Sequence, residues 1–207
     1  MEKISFQPCY GRENLLALFN RREEIKSCKL VFVADKDTYV YSKVPAEYNE
    51  IIWTSGYSIE NDVYEGRKIE QLLDKKEVVK FEKALTTFIQ YYAFQLENFR
   101  NRRLFQFEHH PKNILGKDYS LNLEAIKQYK YTEPTTETID YLTADYDLLI
   151  RGKTLLDLLI IFLSHPKRLV KHSRSSLLEY GCKLMTNNAL AQLLQKINKQ
   201  IDDKTAQ

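Results

Sequence analysis

The sequence predicts an α/β fold in which a small parallel sheet precedes an α-helical C-terminal half. Short β-prone runs near residues 4, 30 and 51 alternate with helical patterns in the first third of the chain. From Lys75 onward, apolar residues instead recur every three or four positions. We therefore divide the chain into an α/β part, residues 1–74, and a helical part, residues 75–207.

The α/β part contains three candidate strands, at residues 4–6, 30–33 and 51–54. A helix with Leu15 and Phe19 on its apolar face lies between the first two strands. A strand, a helix and a strand joined by short links are typical of a right-handed parallel βαβ unit. Because residues 30–33 are an unbroken apolar run, we expect this strand to be covered on both faces.

The helical part begins with one long amphipathic helix, predicted over residues 75–103, which contains neither Gly nor Pro. Residues 154–163 are apolar almost all round and predict a buried helix. The remaining patterns predict helices at 121–131, near Ile139, at 175–184 and at 187–201.

Composition narrows the class of protein. The chain has 207 residues, of which 43% are hydrophobic, so it can bury a sizeable core. A net charge of +3 is too small to indicate a nucleic-acid partner by itself. The three cysteines lack the paired spacing of a zinc site, and we expect them to be buried, reduced thiols. No apolar run is long enough to span a bilayer. These features predict a cytoplasmic protein with no membrane partner.

Asp35 and Asp37 follow the strand predicted at residues 30–33. Ligands bind beyond the carboxyl ends of strands in open α/β sheets. Two carboxylates placed there repel each other, and hard oxygen ligands suit Mg²⁺ or Mn²⁺. The same residues also suit a turn or a helix cap, because Asp is common at both. The pair therefore indicates either a metal site or a structural turn.

Glu60 and Asp62 open a helix that Ser58 can cap, just after the strand at residues 51–54. They can face the same edge of the sheet as Asp35 and Asp37, so that Glu60 completes a metal site directly or through water. Ordinary first-turn acids, stabilised by the helix dipole, are the other explanation.

Two stretches together carry a family resemblance. Val31-Phe-Val-Ala-Asp-Lys-Asp37 followed by Gly56-Tyr-Ser-Ile-Glu-Asn61 resembles a TOPRIM-like family of unknown function found in bacterial genomes. That family includes the nuclease effector of the PARIS anti-phage defence system. The segment Ile150-Arg-Gly-Lys-Thr-Leu-Leu156 also resembles a family motif. The resemblance implies a Rossmann-like TOPRIM sheet with a helical C-terminal half.

The resemblance also implies site residues and a function. Asp35 and Asp37 would be catalytic ligands of Mg²⁺ or Mn²⁺, and Glu60 a supporting acid. The implied activity is cleavage of a phosphodiester in DNA or tRNA, beside an ABC-type ATPase, in a homo-oligomer or hetero-complex. The best candidates for gripping phosphates are basic residues of two segments: Arg151, Lys153, Lys167, Arg168 and Lys171. For the last three, a solvated helix face is an equally good explanation.

The chain departs from the family pattern at its start. The family opens with a strand that carries a catalytic Glu, and this chain begins at about the second strand of that pattern. Three hypotheses follow. The protein is a metal-dependent nuclease subunit, a catalytically degenerate TOPRIM-like module that only associates with its ATPase partner, or an unrelated α/β protein whose acids cap a turn.

Overall fold

A parallel strand pair forms the sheet. The computed structural model describes residues 4–184 and 188–205. Strands β1 (Val33–Ala34) and β2 (Ile52–Trp53) pair in parallel, with Val33 opposite Ile52. The Ile52 amide donates to the carbonyl of Phe32 and extends the pairing by one residue. The prediction of a small parallel sheet followed by a helical part is confirmed.

Helices make up most of the described chain. Short 3₁₀ turns lie between β1 and β2 and before the longest helix. The α-helices are, in order, α1 (Arg12–Asn20), α2 (Ile59–Tyr64), α3 (Lys75–Arg100), α4 (Pro111–Ile114), α5 (Leu123–Lys127), α6 (Thr136–Ala144), α7 (Tyr146–Leu149), α8 (Gly152–Leu163), α9 (Arg174–Lys183) and α10 (Asn188–Thr205).

The sheet has a small core of its own. Helix α1 packs against β1, where Phe19 and Phe32 meet edge to face with ring centroids 5.2 Å apart. Phe32, just before β1, and Ala34 are buried, but Val33 between them is 36% exposed. The expectation that this strand is covered on both faces is therefore wrong. The chain alternates like a half-buried strand, and the apolar run concealed that alternation.

The predicted first strand, at residues 4–6, is also wrong. This segment has no regular secondary structure, and Ile4 and Phe6 are largely exposed. The alternation of apolar and polar residues spans only three positions there, and Pro8 follows at once. A strand so short gains little by pairing. The βαβ unit expected from the sequence is therefore absent from the described residues.

The larger core is built around α3 and α8. Asp74 caps α3 by accepting from the amides of Lys76 and Glu77, and the Glu77 carboxylate accepts from the Asp74 amide in return. Helix α8 is buried almost all round, as predicted. The two helices meet where Phe81 packs edge to face on Phe162, with centroids 5.8 Å apart. Residues from both sides of position 75 contribute to this core.

Several helix limits differ from the predicted ones. Helix α3 ends at Arg100 rather than at 103, because Arg102 has a positive φ of 55°. Helix α5 is shorter than the predicted 121–131. Thr135 caps α6, which begins at Thr136, three residues before the start expected near Ile139. Of the last predicted helix, Asn187 lies outside the described residues.

The cysteines are not buried as expected. Cys28 and Cys182 are exposed and Cys9 is half-buried, and all three are free thiols. Spacing alone excluded a zinc site, but it carried no information on burial. Within residues 4–184 and 188–205, helices that combine enough length and enough apolar character to cross a bilayer are absent.

The packing of α3 can be tested with two substitutions on the same helix. Leu85 is 7% exposed, and Val79 is 67% exposed. Leu85→Asp buries an unpaired charge and should lower the free energy of unfolding by about 3–5 kcal/mol. Val79→Asp should change it by less than about 0.5 kcal/mol. Urea denaturation of both variants measures the difference, and equal effects would show that α3 is not packed in this way.

Candidate functional site

The loops that follow β1 and β2 lie side by side. Because the strands are parallel, both loops leave the same edge of the sheet. The Lys36 amide donates to Oγ1 of Thr54 over 3.1 Å, and the Asp37 amide donates to the carbonyl of Tyr57 over 2.7 Å. These bonds fix the residues after β1 against the start of α2.

Asp35 connects this edge of the sheet to α2. Its Oδ1 accepts from the backbone amide of Ile59 over 2.9 Å, so it caps the helix as the structural explanation predicts. It also lies in an acidic setting. Its pKa is raised to about 6, mainly by burial and in addition by the carboxylates of Glu60 and Asp37, while the Ile59 amide and Lys153 oppose the rise. Asp35 is therefore both a cap and a member of a charged cluster.

Asp37 lies among acidic and basic side chains. Its backbone φ is +48°, a conformation that Asp and Asn tolerate better than most residues. Its carboxylate lies 3.7 Å from Nη1 of Arg12 on α1. Burial raises the pKa of Asp37, and the positive charges of Arg12, Arg151 and Lys153 oppose this rise. No local pattern in the sequence indicates that Arg12 belongs to the site.

Glu60 faces the start of α8. Its Oε1 lies 3.8 Å from Nζ of Lys153, and its side chain is 12% exposed. The two helices approach closely at Gly152. A Cβ there would lie 2.7 Å from Cβ of Glu60 and 2.7 Å from Oδ1 of Asn61. Only glycine fits this contact, so Gly152 places Lys153 beside the carboxylates.

Asn61 joins two of the three segments that carry the family resemblance, residues 56–61 and 150–156. It is fully buried, and its Nδ2 donates to the carbonyls of Asp147, over 2.6 Å, and Ile150, over 2.7 Å. Its Oδ1 accepts from the amide and the hydroxyl of Ser58, both over 3.0 Å. Gly56 makes room for it, since a Cβ on Gly56 would lie 2.5 Å from Cβ of Asn61. The sequence marked Asn61 only as part of a motif.

Asp62 has a different role from Glu60. It is fully buried, and its carboxylate accepts from the amides of Ser55, over 3.0 Å, and Gly56, over 2.8 Å. Burial raises its pKa, and these two amides oppose the rise. Both carboxylate oxygens of Asp62 therefore bind the loop between β2 and α2 and hold it in place.

The predicted phosphate-binding residues separate into two groups. Arg151 and Lys153 lie at the carboxylate cluster, where both act on Asp37. The Arg151 amide also donates to the hydroxyl of Tyr92 over 3.1 Å, and its guanidinium lies 3.9 Å from Oε1 of Glu108. The other group, Lys167, Arg168 and Lys171, lies on the turn between α8 and α9.

Within that turn, Arg168 has a structural role. Its guanidinium pairs with the carboxylate of Glu77 and donates to the carbonyl of Leu72 over 3.0 Å. It thereby ties the turn to the start of α3, a role that sequence reasoning missed. Lys167 and Lys171 are exposed, and for them nucleic-acid binding stays a prediction.

Six side chains thus form what we call the charged cluster: Asp35, Asp37, Glu60, Arg12, Arg151 and Lys153. Among the residues that the structure describes, no three His, Cys, Asp or Glu side chains are arranged as a ready metal-binding group. Mg²⁺ does not need one, because it commonly keeps several waters and binds one or two carboxylates together with substrate phosphates. Asp35 and Asp37, two desolvated carboxylates near each other, fit that mode of binding.

Comparisons of the chain with protein-family models, with curated proteins and with solved structures gave no match. The resemblance stated above therefore depends on the motif residues alone.

The role of Asn61 predicts a large effect for its removal. Asn61→Ala leaves the buried carbonyls of Asp147 and Ile150 without their donor and should lower the free energy of unfolding by about 2–5 kcal/mol. Asn14→Ala, at an exposed position of α1, should change it by less than about 0.5 kcal/mol. Urea denaturation of the two variants makes the comparison, and an Asn61→Ala protein as stable as Asn14→Ala would contradict the role given to this side chain.

Proposed function

We propose that this protein is a TOPRIM-like, metal-dependent nuclease subunit that works with an ABC-type ATPase in bacterial anti-phage defence. The observation that carries the proposal is the charged cluster. It places Asp35 and Asp37 at the carboxyl end of a parallel strand, beside Glu60, Arg151 and Lys153. The motifs that carry the family resemblance are the segments that meet there. The ATPase partner follows from the resemblance alone.

The cluster has the parts that phosphodiester cleavage needs. Asp35 and Asp37 would hold Mg²⁺ or Mn²⁺, with Glu60 as a supporting acid. A bound cation would polarise the phosphodiester and stabilise the leaving oxygen. Arg151 and Lys153 would bind and orient the phosphate, since guanidinium and ammonium groups donate to phosphate oxygens. Glu108, which is largely exposed, lies close enough to Arg151 to be displaced by an incoming phosphate.

A second candidate function has support of its own. The carboxylates already have partners in the protein: the Ile59 amide for Asp35, Arg12 for Asp37 and Lys153 for Glu60. Such pairing stabilises the fold without any bound metal ion. A TOPRIM-like module that binds its ATPase partner and does not cleave nucleic acid would keep this arrangement.

A cleavage assay with a matched variant separates the two functions. Asp37→Asn removes the charge and keeps a residue type that tolerates positive φ. With the ATPase partner present, wild type should cleave DNA or tRNA when Mg²⁺ or Mn²⁺ is added, and EDTA should stop the reaction. Asp37→Asn should lower the rate about 10²- to 10³-fold, because a metal centre supplies several kcal/mol to the transition state.

The control is Glu47→Gln, an exposed acid in the 3₁₀ turn before β2, which should leave the rate unchanged. Gel electrophoresis of the products measures cleavage. If wild type binds the ATPase but cleaves neither substrate, the second candidate holds. If Asp37→Asn cleaves as fast as wild type, the charged cluster is not the catalytic site.

A further inference from the structure

A cavity lies next to the segment whose Glu108 lies near Arg151 of the charged cluster. Its volume is about 520 Å³, within the range of pockets that hold small ligands. It opens between the C-terminal half of α3, the segment at residues 103–109 and the turn after α5. The lining residues used below are Phe94, Asn98, Arg103, Phe105, Gln106, His109, Tyr129 and Lys130.

Aromatic rings form the walls of the cavity. His109 and Tyr129 lie with ring centroids 4.4 Å apart, and the buried Phe94 also lines the cavity. Nδ1 of His109 lies 2.5 Å from the hydroxyl of Tyr91, a hydrogen bond that fixes the imidazole ring. At the mouth, Phe105 is 38% exposed and Leu104 is 96% exposed. A flat ligand that covered these surfaces would gain stacking and apolar burial.

Gln95, a polar residue of the lining, already forms hydrogen bonds within the protein. Gln95 is 2% exposed, its Nε2 donates to the hydroxyl of Tyr91 over 2.8 Å, and its Oε1 accepts from the amide of Gln106 over 2.8 Å. These bonds hold the cavity wall in shape before any ligand arrives. A wall formed in advance lowers the entropy that binding must overcome.

The remaining polar groups indicate the chemistry of the ligand. Asn98 and Gln106 present carboxamides, which combine a donor and an acceptor as the edges of nucleobases do. Arg103 and Lys130 add positive charge. Among the lining residues that the structure describes, none is a carboxylate. Flat rings, amide edges and unopposed positive charge together favour a ligand that is aromatic, hydrogen-bonding and anionic.

The cavity and the charged cluster share one stretch of chain. His109 lines the cavity, and its neighbour Glu108 lies against Arg151. Consecutive Cα atoms are about 3.8 Å apart, so the cavity and the charged cluster contact neighbouring residues of one segment. Phe107 connects them more firmly, because its ring stacks on Tyr92 at 4.9 Å and the Tyr92 hydroxyl accepts from the Arg151 amide.

We propose that this cavity binds the base of a nucleotide, with the phosphate of that nucleotide toward Arg103 and Lys130. The bound base then positions a nucleic-acid strand at the charged cluster. The positioning role rests on the proposed function. The base is recognised by stacking on the aromatic walls and by hydrogen bonds to Asn98 and Gln106. An aliphatic ligand would bury these amides unpaired, which is unfavourable.

Binding is measured without divalent cations, in EDTA, so that cleavage plays no part. Ligand-detected NMR and calorimetry are run with the four ribonucleoside monophosphates, the matching nucleosides and short single-stranded oligonucleotides. Tyr129→Leu removes a wall ring and should weaken binding about tenfold or more, whereas Tyr129→Phe, which keeps the ring, should bind within about twofold of wild type. Circular dichroism and thermal melting show whether each variant is folded.

A second pair of variants tests the contact with the phosphate. Both substituted residues are exposed, so neither substitution should disturb the core. Arg103→Gln should weaken binding of nucleotides but leave nucleosides unchanged, and Lys127→Gln, an exposed lysine of α5 outside the cavity, should weaken neither. Oligonucleotides that bind more tightly than monophosphates identify a base within a strand as the ligand. Equal affinities identify a free nucleotide as the ligand and overturn the positioning role.

Two outcomes overturn the assignment of the cavity. One is binding that neither Tyr129→Leu nor Arg103→Gln changes. The other is the absence of any nucleotide or oligonucleotide binding. If oligonucleotides bind, and Lys153→Gln weakens them while Tyr129→Leu does not, the cavity proposal fails and the proposed function stands. If cleavage is absent but Tyr129-dependent binding of bases is present, the proposed function fails and the cavity still binds bases.

Discussion

The buried carboxamide of Asn61 is the contact on which the arrangement of the candidate site depends. It links Ser58, at the start of α2, to the carbonyls of Asp147 and Ile150, almost ninety residues further along the chain. The glycines at positions 56 and 152 allow this approach, since a Cβ on either would collide with Asn61. Together with the Tyr57 amide, which donates to the carbonyl of Leu148 over 2.8 Å, this link sets the position of the carboxylates near the sheet relative to the cations at the start of α8.

The charged cluster that results is close to electrically balanced. It contains three carboxylates and three cations, contributed by the β1 loop and by α1, α2 and α8 with its preceding residue. Burial nevertheless dominates for Asp35, whose pKa rises to about 6 although Lys153 is near. Burial disfavours the ionised form of a carboxyl group, so a neighbouring cation stabilises a buried carboxylate more than a fully solvated one. This is the physical basis of the proposal that the cluster binds a divalent ion together with a phosphate that competes for Arg151 and Lys153.

Much of the fold followed from local sequence patterns. The capped start of α2, the long amphipathic α3 and the all-apolar α8 each depend on residues close together in the chain. The prediction of a strand at residues 4–6 was wrong because three alternating residues do not show whether a neighbouring strand is available to pair with them. The solvent-facing side of β1 was missed because Val33 lies in an apolar run whose covering elements are set by tertiary structure.

The site was predictable in part for the same reason. Asp35, Asp37 and Glu60 could be found because acids at strand ends and helix starts are a local pattern. Arg12 and the role of Asn61 could not, since they join segments far apart in sequence. Arg168 carries the same charge as Lys167 and Lys171, and only its position against Glu77 distinguishes it from them.

Carbon-detected NMR titration of the Asp35 carboxyl in the metal-free protein can establish whether these charges share one site. In wild type its pKa should be about 6, and Lys153→Gln should raise it further because a neighbouring positive charge is lost. Lys43→Gln, which removes an exposed lysine elsewhere, should leave it unchanged. A pKa close to the ordinary 3.8 that does not respond to Lys153→Gln would show that Asp35 is solvated and apart from α8.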